Sequence, residues 1–324
     1  MNRPLHPRWI PGSGILLLIG CSASAPEFQP PKLGTDLPKH WLGQPGASLQ
    51  PTQSLWWQSF ADPLLDELVD EAVARNHDLA ATAERIYAAA AQADLAGAQL
   101  WPQIDANGNG QRNRTNFIGL PIPGSSGGVL SRTFSSYGVS LSASWELDLW
   151  GRLRAAQRSA VAGTQAAVAD WEAARESLAA QVAKAYFAVL EARLQIELAQ
   201  TTVASFERSA TQVEERFRRG TRNAEDLHLA RNTLASGRAQ LEFWRRADAA
   251  SRRQLELLLG RYPSGRLGSA ADLPPVPEQV PAGLPAELLT RRPDVRAAER
   301  RFASASANVA SVRKELFPRL SLSS

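Results

Sequence analysis

The sequence predicts a mostly α-helical chain, built on a long antiparallel pair of coiled-coil helices with one β-hairpin set between helices. Three observations carry this reading. Leu178, Val182, Ala185, Val189, Ala192, Ile196, Ala199, Val203, Phe206, Ala210, Val213 and Phe217 are spaced 4,3,4,3 without a break, and heptads sustained this long indicate a coiled coil. Tyr137, Val139, Leu141, Ala143, Trp145 and Leu147 alternate with small polar residues, the period of a strand with one apolar face. Finally, residues 78–108 fall on residues 294–324 at an offset of 216, with seven identities: Asp78/Asp294, Ala81/Ala297, Arg85/Arg301, Ala89/Ala305, Ala91/Ala307, Leu100/Leu316 and Pro102/Pro318. A repeated unit usually means that neither copy buries its apolar face alone.

Taken in order, the chain opens with Arg3 and Arg8, a short apolar run at 15–19, then Gly20-Cys21-Ser22-Ala23. This resembles a bacterial lipoprotein signal with Leu18-Ile19-Gly20-Cys21 as its lipobox. Residues 1–20 are then a cleaved signal, and Cys21 carries a covalent lipid that anchors the chain to a membrane. The apolar run is short against the usual ~7–15 residues; the alternative is an ordinary N-terminus with one cysteine. Ser22, rather than Asp, after the cysteine implies outer-membrane sorting. As the only cysteine, Cys21 excludes an internal disulfide and any multi-cysteine metal site. Residues 21–61 read as an extended lead-in rich in Pro, Gly and polar side chains, with Trp56, Trp57 and Phe60 near its end.

Residues 62–101 read as the helices of the first repeat. Asp62 is a good N-cap, Pro63 suits the first helical position, and Leu64, Leu65, Leu68 and Val69 form a stripe. Asn76-His77-Asp78 is expected to interrupt, with a second helix over about 79–99 that Pro102 ends. Residues 102–149 change period. Ile104, Ala106, Gly108 and Gly110 alternate with Asp105, Asn107, Asn109 and Gln111, a Pro/Gly/Ser loop follows at 121–128, and the strand at 137–147 returns. A half-buried strand in a soluble sandwich alternates in the same way, but a sandwich needs many more strands. A hairpin isolated between long helices fits a transmembrane barrel, whose strands take about ten such residues with aromatics near the interface. Glu146 and Asp148 are read as solvated charges at a strand end rather than an acid pair.

Residues 150–260 read as the coiled-coil hairpin. Its outgoing helix, over 150–219, would be roughly 100 Å long. Gly220 suits a left-handed helix end, and the return helix at 224–259 carries Leu227, Ala230, Leu234, Leu241 and Trp244 on one side. Gly260 ends it. Residues 261–285 form a Pro/Gly linker, and 286–324 begin the second repeat.

Composition excludes several function classes. The net charge of +4 comes from Arg and Lys interspersed with Asp and Glu, with no basic block interleaved with aromatics, so nucleic acid is not a partner. No run of 18 apolar residues reads as a transmembrane helix. His6, His40, His77 and His228 are scattered, no phosphate loop is present, and no catalytic set emerges. No enzyme activity, metal or cofactor is expected beyond the lipid on Cys21.

The lipobox, Trp56-Trp57-Gln58-Ser59-Phe60-Ala61-Asp62-Pro63, Asn76-His77-Asp78-Leu79, Ser144-Trp145-Glu146-Leu147-Asp148-Leu149-Trp150-Gly151-Arg152, the Arg-Phe-Arg-Arg-Gly turn at 216–220, Leu257-Leu258-Leu259-Gly260 and Leu288-Leu289-Thr290-Arg291-Arg292-Pro293-Asp294-Val295 occur in an order that resembles the TolC-like outer-membrane efflux factors. The match is closest to their NodT/OprM-type lipoprotein branch. The resemblance implies a homotrimer in the outer membrane of a Gram-negative bacterium. Each protomer gives strands to one twelve-stranded β-barrel, and the long helices extend it into the periplasm. It implies the exit duct of a tripartite efflux system for drugs or other small molecules, coupled through a periplasmic adaptor to an inner-membrane pump.

By the same resemblance Gly220 marks the periplasmic tip. Asp226 takes the position of a gating aspartate, and Arg216, Arg219, Thr221 and Arg222 are gate or adaptor contacts; the alternative is a solvated tip with ordinary capping charges. Two other classes remain open from the residues: a periplasmic adaptor, which would flank its hairpin with compact lipoyl-like β segments, and a structural coiled-coil lipoprotein without a pore. Pro102 and Gly260 lie 158 positions apart, so a complete second copy would reach about residue 476. The expectation is therefore a C-terminally truncated chain, lacking the second hairpin and coiled-coil pair, that does not by itself make a working duct.

Overall fold

A computed structural model describes residues 55–117, 130–268, 273–276 and 288–324. The signal at 1–20, Cys21, most of the lead-in, the hairpin loop and much of the 261–285 linker lie outside the described residues. The elements run α1 (Pro63–Arg75), α2 (His77–Ala98), β1 (Gln103–Phe117), β2 (Leu130–Leu147), α3 (Arg152–Arg218), α4 (Ala224–Leu258), α5 (Leu288–Arg291), α6 (Pro293–Lys314) and β3 (Leu320–Ser323), preceded by a 3-10 turn at Trp56–Phe60. They fall into two compact units. A sheet unit holds residues 99–156 and 307–324; a helical unit holds the remaining described residues up to 306.

In the helical unit, α1 starts where the sequence places it. Asp62 accepts hydrogen bonds from the Leu64 and Leu65 amides at 3.0 and 3.3 Å. Its other oxygen accepts from the Tyr186 hydroxyl at 2.5 Å, so one buried carboxylate caps α1 and ties it to α3. Burial, and then that bond, push the Tyr186 phenol well above its ordinary range. Trp57, Leu65, Leu68, Val69 and Ala72 pack on Leu178, Val182, Tyr186, Val189 and Leu190 of α3, with Leu255 and Leu259 closing the core. The expected break at Asn76-His77-Asp78 is narrower than predicted. Asn76 alone is non-helical; its side chain accepts from Leu79 N at 3.0 Å and donates to the Leu258 carbonyl at 3.2 Å. It therefore caps α2, and His77 and Asp78 join the first turn.

The end of α4 is fixed to the same joint. Gly260 has φ +71°, and a Cβ there would lie 2.7 Å from the Arg75 carbonyl oxygen, so glycine is required twice over. Glu71 accepts from Arg261 Nε at 2.7 Å and from Arg75 at 3.1 Å. Buried Glu256 accepts from Ser264 Oγ at 2.7 Å, Gly265 N at 2.6 Å and Arg266 N at 3.1 Å, folding the following chain back onto α4.

The heptad seam is real. From Leu178 to Val213 its members are buried or half-buried, and Phe217, the last, is exposed. Ala199 and Val203 meet Leu241, with Ile196, Leu234 and Trp244 around them. A Cβ on Gly237 would approach the Phe206 ring to 2.9 Å, so a glycine lets the two helices close. On α3 toward α6, Arg296 pairs with Glu172 and Arg301 with Asp170, both at 2.7 Å, and the Ser159 hydroxyl donates to the Ser304 carbonyl at 2.9 Å.

The sheet unit is antiparallel with strand order β1-β2-β3. The repeat reappears in three dimensions: α2 and α6 both hold 22 residues, each followed by a proline and then a strand. The described residues form an open three-stranded sheet and no closed barrel.

Candidate functional site

Two regions carry the predicted site residues, one in each unit. In the sheet unit, Ile104, Ala106, Gly108 and Gly110 stand opposite Ala143, Leu141, Val139 and Tyr137, and Trp145 and Leu147 stand opposite Leu322 and Leu320. Directly paired residues project to the same side of a sheet. All six predicted membrane-strand residues, Tyr137, Val139, Leu141, Ala143, Trp145 and Leu147, therefore share one face with the apolar positions of β1 and β3. The other face carries Asp105, Asn107, Asn109, Ser140, Ser142 and Ser144. Among the described residues little covers the outer part of the apolar face: Val139 is 92% exposed, Tyr137 82% and Leu141 73%. The Tyr137 ring lies over Gly110, close enough that a Cβ there would sit 3.3 Å from it.

The string from Ser144 to Arg152 is the joint from strand to helix, and its residues each have a job there. Glu146 accepts three bonds from the Arg152 guanidinium, at 2.8, 2.9 and 3.2 Å. Asp148 caps α3, accepting from the Leu153 and Arg154 amides at 3.0 Å and from Arg154 Nε. The expectation of solvated charges is thus corrected: both carboxylates are spent on the junction, because α3 begins four residues after Asp148 and its first amides need an acceptor. Gly151 takes φ +74°. Trp150 stacks on Phe317 at 5.1 Å and donates to the Pro318 carbonyl at 2.9 Å, Trp145 donates to the Leu100 carbonyl at 3.0 Å, and the Ser311 hydroxyl donates to the Arg152 carbonyl.

In the helical unit, Gly220 takes φ +74° at the tip of the hairpin. Thr221 donates both its amide and its hydroxyl to the Arg216 carbonyl at 2.9 Å, the six-to-one bond of a Schellman cap. Arg222 reaches Asp226 at 3.3 Å and Arg219 lies 3.8 Å from Glu215. Asn223, unremarked in the sequence, caps α4 by accepting from Asp226 N at 2.8 Å; an Asn just before Ala-Glu-Asp was the available signal. Also missed were Glu214, which meets Arg218 and Arg231, and Glu207, which meets Arg238 across the hairpin at 2.8 Å. The structure brings Arg222 and Asp226 together and gathers Arg216, Arg219 and Thr221 around the same turn.

Comparison with known proteins decides the family. The profile of the outer membrane efflux protein family matches residues 68–261. The chain is 33% identical to the pyoverdine export outer membrane protein OpmQ of Pseudomonas putida, over 99% of this chain and 67% of that protein. The chain belongs to the outer membrane efflux protein family. It is also 32% identical to the toluene efflux pump outer membrane protein TtgF of P. putida, over 94% of this chain and 64% of the relative. Among solved structures, the outer-membrane channel OprN superposes with a TM-score of 0.80 at 29% identity, covering 94% of this chain and 66% of that one. The open-state MtrE outer membrane channel of Neisseria gonorrhoeae gives 0.73 at 31%, covering 92% and 65%. The chain spans about two thirds of the length of the relatives it matches. Within the efflux family, the fold is that of the TolC-like channels.

Proposed function

We propose that this chain is the outer-membrane channel subunit of an efflux system, contributing strands to a trimeric barrel and helices to a periplasmic tunnel through which drugs or other small molecules leave the cell. The observation that carries this is the uncovered apolar sheet face. Leu147 and Tyr137 are ten residue steps apart on β2, about 33 Å along a strand at ~3.3 Å per residue. At the ~40° tilt of barrel strands this stands about 25 Å tall, the height of the apolar band of an outer-membrane barrel. A lone face of that size exposes β-edges that lipid does not tolerate, so closure must come from further strands. The polar face then lines the lumen, and no catalytic step is needed.

The finer parts of the proposal are the lipid anchor on Cys21, the homotrimer, and coupling to a periplasmic adaptor and inner-membrane pump at the turn around Gly220, with Asp226 and its Arg222 neighbour at the aperture. Family membership supports these over the adaptor and pore-free lipoprotein alternatives. The test is to express the protein, with further strands supplied to close its barrel, in a Gram-negative host lacking its own efflux channel, with the cognate adaptor and pump. The expected result is sedimentation with the outer membrane and reduced accumulation of a fluorescent efflux substrate. Outer-membrane residence with no change in accumulation would refute the channel reading.

A further inference from the structure

We propose that the far end of the β1–β2 hairpin binds the phosphate groups of lipid headgroups through Arg112 and Arg114. The inference rests on the barrel reading above, which sets the apolar face of the sheet against lipid. That face consists of the even positions of β1 and the odd positions of β2, and its apolar run ends at Gly110 opposite Tyr137. The next residues on the same face are Arg112, opposite Ser135, and Arg114, opposite Thr133. Both arginines are exposed, and Arg114 donates to the Ser131 hydroxyl at 3.2 Å. Arg132 and Phe134 lie on the opposite face.

Charge singles this end out. Between Asp105 and Glu146 the sequence has three arginines and no carboxylate, so the hairpin carries no counter-charge of its own along this stretch. A guanidinium remains protonated at any physiological pH and offers a planar fork that suits two oxygens of one phosphate. Depth agrees. Arg112 is two residues beyond Gly110, about 7 Å along the strand and ~5 Å in height at barrel tilt; Arg114 stands at ~10 Å. The headgroup layer outside the hydrocarbon core is about 5–7 Å thick on each side. Arg112 thus stands at phosphate depth, just past a tyrosine of the kind that marks membrane interfaces, and Arg114 stands about 3 Å beyond the layer, within reach of it for a long side chain. The hydroxyls of Ser131, Thr133 and Ser135 share their face as further donors.

The test uses the protein extracted from outer membranes and placed in phosphatidylcholine nanodiscs, with diphosphoryl lipid A as the titrated probe. Binding is expected to weaken on the order of tenfold or more in R112Q/R114Q, to recover in part in R112K/R114K, and to stay within about twofold of the parent in R132Q. Inorganic pyrophosphate at millimolar concentration is expected not to displace the lipid. An unchanged R112Q/R114Q, or an equal loss in R132Q, would overturn the assignment. Displacement by pyrophosphate would assign the arginines to free phosphate and also overturn it. All variants are expected to keep their outer-membrane location. Absence of the parent protein from the outer membrane would instead sink the barrel reading, and this proposal with it.

Discussion

Leu141→Arg separates a lipid-facing strand from a merely exposed one. Leu141 is six residues from Leu147 on β2, about 20 Å along the strand and ~15 Å in height at barrel tilt. It therefore sits within ~3 Å of the middle of the ~25 Å apolar band, where an outward arginine costs about 2–4 kcal/mol. Tyr137→Arg, at the edge of the band, should cost only ~0–1 kcal/mol. Ser140→Arg projects to the polar face and should cost nothing in insertion. In a trimer each cost is taken three times. The assay is urea unfolding of the protein in phospholipid, with the outer-membrane fraction recovered from cells as an independent readout. The reasoning fails if Ser140→Arg is as harmful as Leu141→Arg, or if Leu141→Arg is neutral; either result would place this sheet outside a bilayer.

Other perturbations probe the helical unit. Gly260→Ala adds both a left-handed backbone and a Cβ crowding the Arg75 carbonyl at 2.7 Å, so thermal unfolding followed by helical circular dichroism should show a loss of about 2–4 kcal/mol. Tyr186→Phe leaves one oxygen of buried Asp62 without its hydroxyl partner; a loss of ~1–3 kcal/mol is expected from denaturant titration, and a neutral result would mean water takes the vacated place. The Arg261 hydrogen bond holds the Glu71 carboxyl below its usual 4.5. Its ionised form therefore stabilises the folded chain above that pH, and the contribution is lost as pH falls through the folded value. Glu71→Gln should flatten the acid limb of the stability profile below about pH 4.5 while leaving the slope near neutrality unchanged.

Local chemistry explains what the sequence made legible. Caps are short-range, so Asp62, Gly220 and Gly260 were readable, and a 4,3,4,3 seam and a period-2 strand are visible in any window that contains them. The long-range partners were not readable. Tyr186 satisfies Asp62 from 124 residues away, and Arg261 reaches Glu71 across 190; neither pair leaves a pattern at either position. Glu146 and Asp148 were read as solvated charges because the guanidiniums and amides that take them up, on Arg152, Leu153 and Arg154, belong to the next element. The strand ends at Leu147, so Asp148 is free to turn and meet the first amides of α3.

The repeat shows the same limit at a larger scale. α2 and α6 have equal length and a common offset, yet their burial differs at matched positions. Ala81 is exposed, whereas its counterpart Ala297 is fully buried. Arg85 and Arg301 are both exposed, but Arg301 is held by Asp170 of α3. Propensity and apolar period depend on the helix itself and are therefore duplicated along with it. Burial depends on what lies against the helix, and within this chain α3 offers Asp170, Glu172 and Ser159 to α6. A duplicated sequence thus predicts a duplicated helix, but which copy has a neighbour is a property of the assembly.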